Sequence, residues 1–248
     1  MRSDVFFLLG IFFLLVFLRR EKKKLVSPSP SVGEWGWLGP EPLFDTHNAD
    51  KVMSPSLPRR GNWLTRAIGR SMYRLLGWRI EGQLPDEPKL VIIGAPHTSH
   101  WDAILAVGFF LATGLDCRWM VKREACDHAL GGLMRWMGAL PVNRQEPGGL
   151  AQQVVDEMNR SEKFVLVLTP EGTRKKAERW KTGFHRIALG AGTPITLGYA
   201  DFERKVAGIG PTIWPSGDLE AQMEEIQAYY SGIPARNPEW FATALDSG

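Results

Sequence analysis

Short apolar segments alternate with amphipathic ones along most of this chain, and this alternation limits the folds that it can adopt. Residues 90–95 (LVIIGA) and 164–169 (FVLVLT) are almost wholly apolar, which is typical of strands buried on both faces of a sheet. Further strands are predicted at residues 118–121, 139–142 and 194–199, and helices at residues 101–113, 124–137, 148–159, 183–190 and 219–230. Strands that alternate with helices predict an α/β domain with a mainly parallel central sheet flanked by helices.

The first apolar run leads directly into a histidine and an aspartate. Because ligands of parallel sheets bind beyond the carboxyl ends of the strands, this segment is a candidate site. His97 follows the predicted strand, and Asp102 falls in the first turn of the next helix, where the helix dipole favours a carboxylate. A carboxylate fixes the tautomer of a neighbouring imidazole, which can then accept a proton at neutral pH. His97 and Asp102 are therefore predicted to act as a base on a bound alcohol.

Positive charge gathers at the same predicted edge of the sheet. The second apolar run leads into residues 170–174 (PEGTR), where Gly172 allows a tight turn and Arg174 supplies a guanidinium group. Arg144 follows the predicted strand at 139–142. Two guanidinium groups at one edge can hold a phosphate through bidentate hydrogen bonds.

Four blocks of sequence, spread over about residues 60–218, resemble the motifs of the glycerolipid acyltransferase family, whose type member is 1-acyl-sn-glycerol-3-phosphate acyltransferase. In chain order they are His97-x4-Asp102, Asn143-Arg144, Pro170-Glu171-Gly172-Thr173-Arg174 and Thr193-Pro194-Ile195. The resemblance implies that the first block holds a catalytic dyad. It implies substrate-binding roles for Arg144, Glu171, Gly172, Thr173, Arg174 and Lys181, with Glu171 setting either the loop or the glycerol.

The resemblance also implies a reaction. A fatty acyl group would move from acyl-CoA or acyl carrier protein to the hydroxyl of a lysolipid in phospholipid biosynthesis. The acceptor that the resemblance favours is 1-acyl-sn-glycerol-3-phosphate. The thioester is then a co-substrate, and no metal or organic prosthetic group is implied. Asn143 stands where the family often has an acid, and the fourth block lacks a second proline. Acylation of a lysolipid without a phosphate therefore stays open.

Three other interpretations of the same residues remain. His97, His100 and Asp102 could ligate a metal, although no partner motif supplies a third or fourth ligand. Ser99 could be a nucleophile, but the Gly-x-Ser-x-Gly elbow of serine hydrolases is absent, and Thr98 and Ser99 suit helix caps better. A membrane-bound scaffold that binds lipid without turnover is the third, because the fold alone does not exclude it.

The start of the chain predicts membrane attachment. A helix over the apolar residues 5–18 would be about 21 Å long, shorter than the roughly 30 Å hydrocarbon core. The basic residues at 19–24 would place the rest of the chain, and the active site, on the cytoplasmic face. The predicted organisation is a membrane anchor at 1–24, a proline-rich linker at 25–58 and an acyltransferase domain at 59–248; dispensability of residues 1–52 is the alternative.

The predicted domain begins with a basic amphipathic helix at residues 63–76. Its apolar face comprises Leu64, Ala67, Ile68, Met72, Leu75 and Leu76, and the opposite side carries Arg66, Arg70 and Arg74. This pattern fits both a helix at a membrane surface and a helix packed on the core. The net charge of +3 is too small to argue for nucleic-acid binding. The family resemblance implies membrane lipids as partners, with acyl carrier protein as one of the two alternative acyl donors.

Overall fold

The computed structural model describes residues 48–127, 131–143, 149–177 and 179–241. The helices are α1 (Asn48–Lys51), α2 (Trp63–Leu76), α3 (His100–Thr113), α4 (Gly131–Trp136), α5 (Gly149–Arg160), α6 (Gly183–Ala191) and α7 (Leu219–Ser231). The strands are β1 (Arg79–Glu81), β2 (Lys89–Gly94), β3 (Trp119–Lys122), β4 (Ala139–Val142), β5 (Phe164–Leu168), β6 (Ile195–Asp201) and β7 (Val206–Ile213). The predicted anchor at 1–24 and most of the linker lie outside the described residues, and the domain boundaries stay predictions.

The central sheet has the mainly parallel character that the sequence predicts. Its strand order is β1-β7-β6-β2-β5, and β6 and β7 form its antiparallel pair. Strands β3 and β4 form a separate parallel pair, which a bridge between Arg118 and Leu166 connects to β5. The fold is therefore an α/β sheet flanked by helices.

Strand β2 shows why its sequence is apolar throughout. Leu90 and Ile92 belong to the core between the sheet and the pair α2 and α3, whereas Val91 and Ile93 belong to the core on the other face, with α5, α6 and α7. All four side chains are buried. A strand covered on both faces favours apolar side chains throughout, and β2 lies inside the sheet between β6 and β5.

Helices α2 and α3 cross at two glycines. A Cβ atom added to Gly69 would lie 2.3 Å from the backbone nitrogen of Ala112 and 2.8 Å from the carbonyl oxygen of Gly108. These distances leave no room for a side chain, so the backbones of the two helices touch. The contact holds α2 against the domain and fixes which of its sides faces outward.

The packed side of α2 differs from its apolar side. Gly69 and Tyr73 are the buried residues of the helix. Leu64 and Leu75, which belong to the predicted apolar face, are 45% and 86% exposed. The helix thus packs on the core and still presents leucine side chains outward. Among the described residues no helix has both the length and the apolar composition needed to cross a bilayer.

Two strands and one helix differ from the sequence prediction. Strands β1 and β7 were not predicted. In β7, the strand pattern is interrupted by Gly208, Gly210 and Pro211. The glycines make room for aromatic rings: an added Cβ would lie 2.4 Å from the Tyr199 hydroxyl at Gly208, and 2.2 Å from the Tyr229 hydroxyl at Gly210. The predicted helix at 124–137 is wrong in its extent; a short 3-10 turn and α4 lie in this region.

Candidate active site

The two segments singled out in the sequence meet because their strands are parallel neighbours. Ile93 of β2 pairs with Leu168 of β5, so both strands leave the sheet at the same edge. The loop after β2 carries His97, and the loop after β5 carries Glu171. These two residues are in contact, as described below, and the candidate site is built around them.

His97 and Asp102 form a close pair at this edge. The Nδ1 atom of His97 lies 3.3 Å from Oδ2 of Asp102. The four intervening residues start helix α3, whose first turn brings the aspartate back beside the imidazole ring. A ring held at Nδ1 by a carboxylate leaves its Nε2 atom available for a second partner.

Asp102 is held by the backbone of the turn that it belongs to. Its Oδ2 atom accepts hydrogen bonds from the backbone N–H groups of Thr98 at 2.8 Å and Ser99 at 2.7 Å. The Ser99 hydroxyl donates to Oδ1 of Asp102 at 3.0 Å and accepts from the backbone N–H of Trp101. Ser99 is therefore the N-cap of α3, as expected, and three donors fix the carboxylate in place.

The Glu171 carboxylate binds the backbone of His97. Both of its carboxylate oxygens lie 3.0 Å from the backbone nitrogen of His97, which donates its N–H to them. The residue is 6% exposed, and this burial raises the pKa of its carboxyl group to about 7. Of the two roles expected for Glu171, these contacts correspond to setting the loop.

Lys181 lies across the turn at Gly172. Gly172 has a left-handed φ of 64°, and a Cβ added to it would lie 2.7 Å from the Lys181 ammonium nitrogen. The Lys181 backbone N–H donates to the carbonyl oxygen of Pro170 at 2.8 Å, which ties the lysine to the turn. A side chain at position 172 would displace the flexible end of Lys181, and the left-handed backbone is what favours glycine here.

Arg174 reaches the start of helix α3. Its Nη1 atom lies 2.9 Å from Nε2 of His100 and also contacts Nδ1 of that ring. Thr173 and Arg174 are exposed, and the Thr173 hydroxyl accepts the backbone N–H of Lys175 at 3.2 Å. The structure thus brings Glu171, Gly172, Arg174 and Lys181 to the edge that carries His97. Arg144 lies outside the described residues, so its role stays a prediction.

A large, mostly apolar cavity opens beside the dyad. Its volume is about 1050 Å³, and His97, Asp102, Gly172 and Lys181 are among the residues that line it. Much of the remaining wall comes from α3 and the sheet, including Leu105, Phe109, Phe110, Ile92 and Val167. The cavity has the size and lining of a site for an extended apolar ligand.

Cys117, Cys126 and His185 lie in the interior of the described domain. Cys117 lines the cavity, but burial raises the pKa of its thiol to about 12, so it holds its proton at neutral pH. Cys126 is buried. His185 is buried and its Nε2 atom lies 2.7 Å from the side-chain oxygen of Gln222. Among the described residues no group of three or more His, Cys, Asp or Glu side chains is placed to hold a metal ion.

One neighbour of the site was not predicted. The side-chain amide of Asn237 donates to the carbonyl oxygen of Thr98 at 2.8 Å. The two residues are 139 positions apart, so no local pattern connects them. The Asn237-Pro238 dipeptide is a turn signal, and this is all that the sequence offers at that position.

Comparisons with known proteins support the fold. The Acyltransferase family model matches residues 78–196, which include His97, Asp102 and Glu171. The fold is similar to the crystal structure of the 1-acyl-sn-glycerophosphate (LPA) acyltransferase PlsC from Thermotoga maritima, with a TM-score of 0.50 and 14% identity over 67% of this chain and 75% of that chain. No curated protein sequence gives a significant match. Residues 78–196 are therefore similar to the Acyltransferase family, and the fold around them is similar to that of PlsC.

Proposed function

We propose that this protein is an acyltransferase that moves a fatty acyl group from a thioester, on coenzyme A or acyl carrier protein, to the free hydroxyl of 1-acyl-sn-glycerol 3-phosphate. The observation that carries the proposal is the position of the His97–Asp102 pair at the wall of a large apolar cavity. A base beside a hydrocarbon-lined space suits the transfer of an acyl chain to an alcohol. Both reactants are substrates, and the proposed chemistry uses no metal or prosthetic group.

In the proposed reaction the dyad acts as a general base. With Nδ1–H donating to Asp102, the Nε2 atom of His97 takes the proton of the acceptor hydroxyl as its oxygen attacks the thioester carbonyl carbon. The new C–O bond gives a tetrahedral intermediate, which collapses with cleavage of the C–S bond. The departing sulfur takes the proton from Nε2 and leaves as a thiol. Asp102 stabilises the imidazolium between these steps, and no acyl-enzyme forms.

The cavity beside the dyad supports a fatty acyl substrate. Leu105, Phe109 and Phe110 of helix α3 line this cavity with apolar side chains. Each buried methylene of an acyl chain contributes about 0.8 kcal/mol. An apolar wall therefore favours a long chain strongly over a short one.

The cations at the rim support a phosphate on the acceptor. Lys181 lines the cavity next to Gly172, and Arg174 contacts His100 at the start of α3. Arg174 and Lys181 present a guanidinium and an ammonium group, which make charge-assisted hydrogen bonds to phosphate oxygens. Arg144 is proposed as a third cation on the basis of the family resemblance alone.

The outward side of α2 supports membrane association. Trp63 and Leu75 are 75% and 86% exposed, and Arg59 and Arg74 are exposed at the two ends of the same region. Exposed tryptophan and leucine beside arginine suit an interface with anionic lipid. Such an interface gives the enzyme access to a lysolipid acceptor, and the basic residues at 19–24 predict that it forms on the cytoplasmic face.

Acyl transfer by the purified full-length chain tests the proposal. The acceptors are 1-acyl-sn-glycerol 3-phosphate, two lysophospholipids with substituted phosphates and a 1-acylglycerol without phosphate, each with the same acyl group on coenzyme A and on acyl carrier protein. We expect the highest kcat/KM with 1-acyl-sn-glycerol 3-phosphate. Preference for the acceptor without phosphate would contradict the acceptor assignment, and lipid binding without turnover would favour the scaffold interpretation.

A further inference from the structure

The end of the described chain crosses the loop that carries His97. The side-chain amide of Asn237 donates to the carbonyl oxygen of Thr98 at 2.8 Å, and the backbone N–H of Asn237 donates to the Thr98 hydroxyl at 3.2 Å. Thr98 is fully buried, and its own backbone N–H donates to Asp102 at 2.8 Å. Thr98 is therefore bonded to Asn237 on one side and to the catalytic aspartate on the other.

The residues on both sides of Asn237 are also anchored. The Arg236 guanidinium lies 5.4 Å from the ring centroid of Trp101, in helix α3 next to Asp102. The ring of Phe241 lies 6.0 Å from that of Trp180, which lines the cavity. The segment 236–241 thus contacts the dyad loop and the cavity wall together.

The side chain of Asn237 is not used for its own local structure. Asn237 occupies the N-cap of the 3-10 turn Pro238–Trp240, a position where asparagine often bonds to the backbone of its own helix. Here it makes no such bond. Its amide is directed at Thr98 instead, which indicates a role in the dyad loop rather than in the turn.

We propose that Asn237 is a positioning residue for acyl transfer. It holds Thr98 so that the backbone N–H groups of Thr98 and Ser99 keep the Asp102 carboxylate aligned with Nδ1 of His97. Asn237 lies beyond residues 78–196, the segment that matches the Acyltransferase family, so the support is supplied by a part of the chain outside that match. The inference rests on the proposed base role of His97.

Three variants of the full-length chain separate this role from simple stabilisation. Asn237→Ala removes the amide donor, and the nearly isosteric Asn237→Asp turns an acceptor oxygen toward the Thr98 carbonyl. Thr98→Val keeps the shape of the buried side chain and removes the hydroxyl that accepts the backbone N–H of Asn237. Glu239→Ala is the control, because Glu239 is exposed in the same segment.

We expect both Asn237 variants to lower kcat about tenfold, with KM for donor and acceptor within about twofold of the wild type. Thr98→Val should lower kcat about threefold, and Glu239→Ala should leave it unchanged. Circular dichroism gives the fraction of each variant that is folded. Loss of positioning lowers kcat per folded molecule, whereas partial unfolding lowers only the number of folded molecules. Wild-type kcat in folded Asn237→Ala or in folded Thr98→Val would overturn the inference.

Nuclear magnetic resonance of the histidine rings gives a second readout that does not depend on turnover. The His97 signal is assigned by its loss in His97→Ala. We expect Asn237→Ala and Thr98→Val to shift it and Glu239→Ala to leave it in place; an unmoved signal in folded Asn237→Ala would overturn the inference. Turnover that depends on His97 but not on Asn237 refutes only this inference, whereas turnover that survives His97→Ala refutes the proposed function.

Discussion

Glu171 accepts the backbone N–H of His97 with both of its carboxylate oxygens, each 3.0 Å from the nitrogen. The two residues follow parallel neighbouring strands and are 74 positions apart. A second carboxylate, that of Asp102, holds the ring of the same histidine at Nδ1. Backbone and side chain of His97 are therefore fixed by two different acids, and only one of these acids can stabilise the imidazolium by direct contact.

The burial of Glu171 predicts a dependence of stability on pH. Its pKa rises from 4.5 to about 7 on folding, so the native protein holds this proton more tightly than the unfolded chain. The contribution of Glu171 to the free energy of unfolding should then fall as pH rises from about 4.5 to about 7 and stay low above it. In Glu171→Gln, which keeps an acceptor oxygen, this loss is absent. The free energy of unfolding of the variant relative to wild type should therefore rise by up to about 3 kcal/mol between pH 4.5 and pH 8.

Urea unfolding at pH 5 and pH 8 checks this prediction. The difference between Glu171→Gln and wild type should be larger at pH 8 than at pH 5. Glu239→Gln is a matched control, since Glu239 is exposed and its difference from wild type should not change with pH. A Glu171→Gln variant that loses stability equally at both pH values would show that burial does not govern this carboxyl group.

The glycine crossing of α2 and α3 predicts a second stability effect. A methyl group at Gly69 would meet backbone atoms of Ala112 and Gly108, which cannot rotate away. Gly69→Ala should therefore lower the free energy of unfolding by about 1–3 kcal/mol, despite the better helix propensity of alanine. Gly183→Ala is the control, because no atom lies within 4 Å of a Cβ added at Gly183. Equal stability of the two variants would contradict the close approach of the helices.

The rim cations predict a selective loss of phosphate recognition. Lys181→Met should raise KM for 1-acyl-sn-glycerol 3-phosphate about tenfold, because a charge-assisted hydrogen bond is lost, and should affect a 1-acylglycerol far less. Arg174→Gln should act in the same direction. Lys175→Gln serves as the control, since Lys175 is an exposed cation of the same loop. An equal rise of KM for both acceptors would indicate general disruption of the site.

The exposed side of α2 predicts membrane binding that depends on specific side chains. Trp63→Ala and Leu75→Glu should each weaken sedimentation of the protein with phosphatidylglycerol vesicles, because both side chains are exposed on that helix. Trp214→Ala and Leu189→Glu are matched controls at exposed positions elsewhere, 57% and 49% accessible. Vesicle binding that these four substitutions affect alike would remove α2 as the membrane contact.

The sequence predicted the elements that are defined by local pattern. Strand β2 and helix α3 follow from a run of buried apolar residues and from the Ser99 cap, and the loop between them carries the dyad. Strand β7 was missed because its glycines and proline look like loop sequence, while their purpose is to accommodate aromatic rings from other elements. The outward face of α2 was also not apparent, because the packed side is set by a glycine contact with α3.

The same distinction applies to the site. Motif spacing placed His97, Asp102, Glu171 and Arg174 at one edge of the sheet, and the structure brings these four residues together there. The contact of Glu171 with the His97 backbone could not be derived, because it depends on how two loops turn after leaving the sheet. Asn237 and Thr98 are 139 positions apart, so their hydrogen bonds depend on the course of the whole intervening chain. No local sequence pattern predicts such a contact.

The acyl-transfer rate of two dyad variants tests the central claim most directly. His97→Ala removes the base, and Asp102→Asn keeps the size of the side chain while removing the charge that stabilises the imidazolium. With saturating acyl thioester and 1-acyl-sn-glycerol 3-phosphate, kcat should fall by a factor of about 1,000 or more in His97→Ala and by at least about 100 in Asp102→Asn, in proteins that remain folded. Turnover at the wild-type rate in folded His97→Ala would contradict the account.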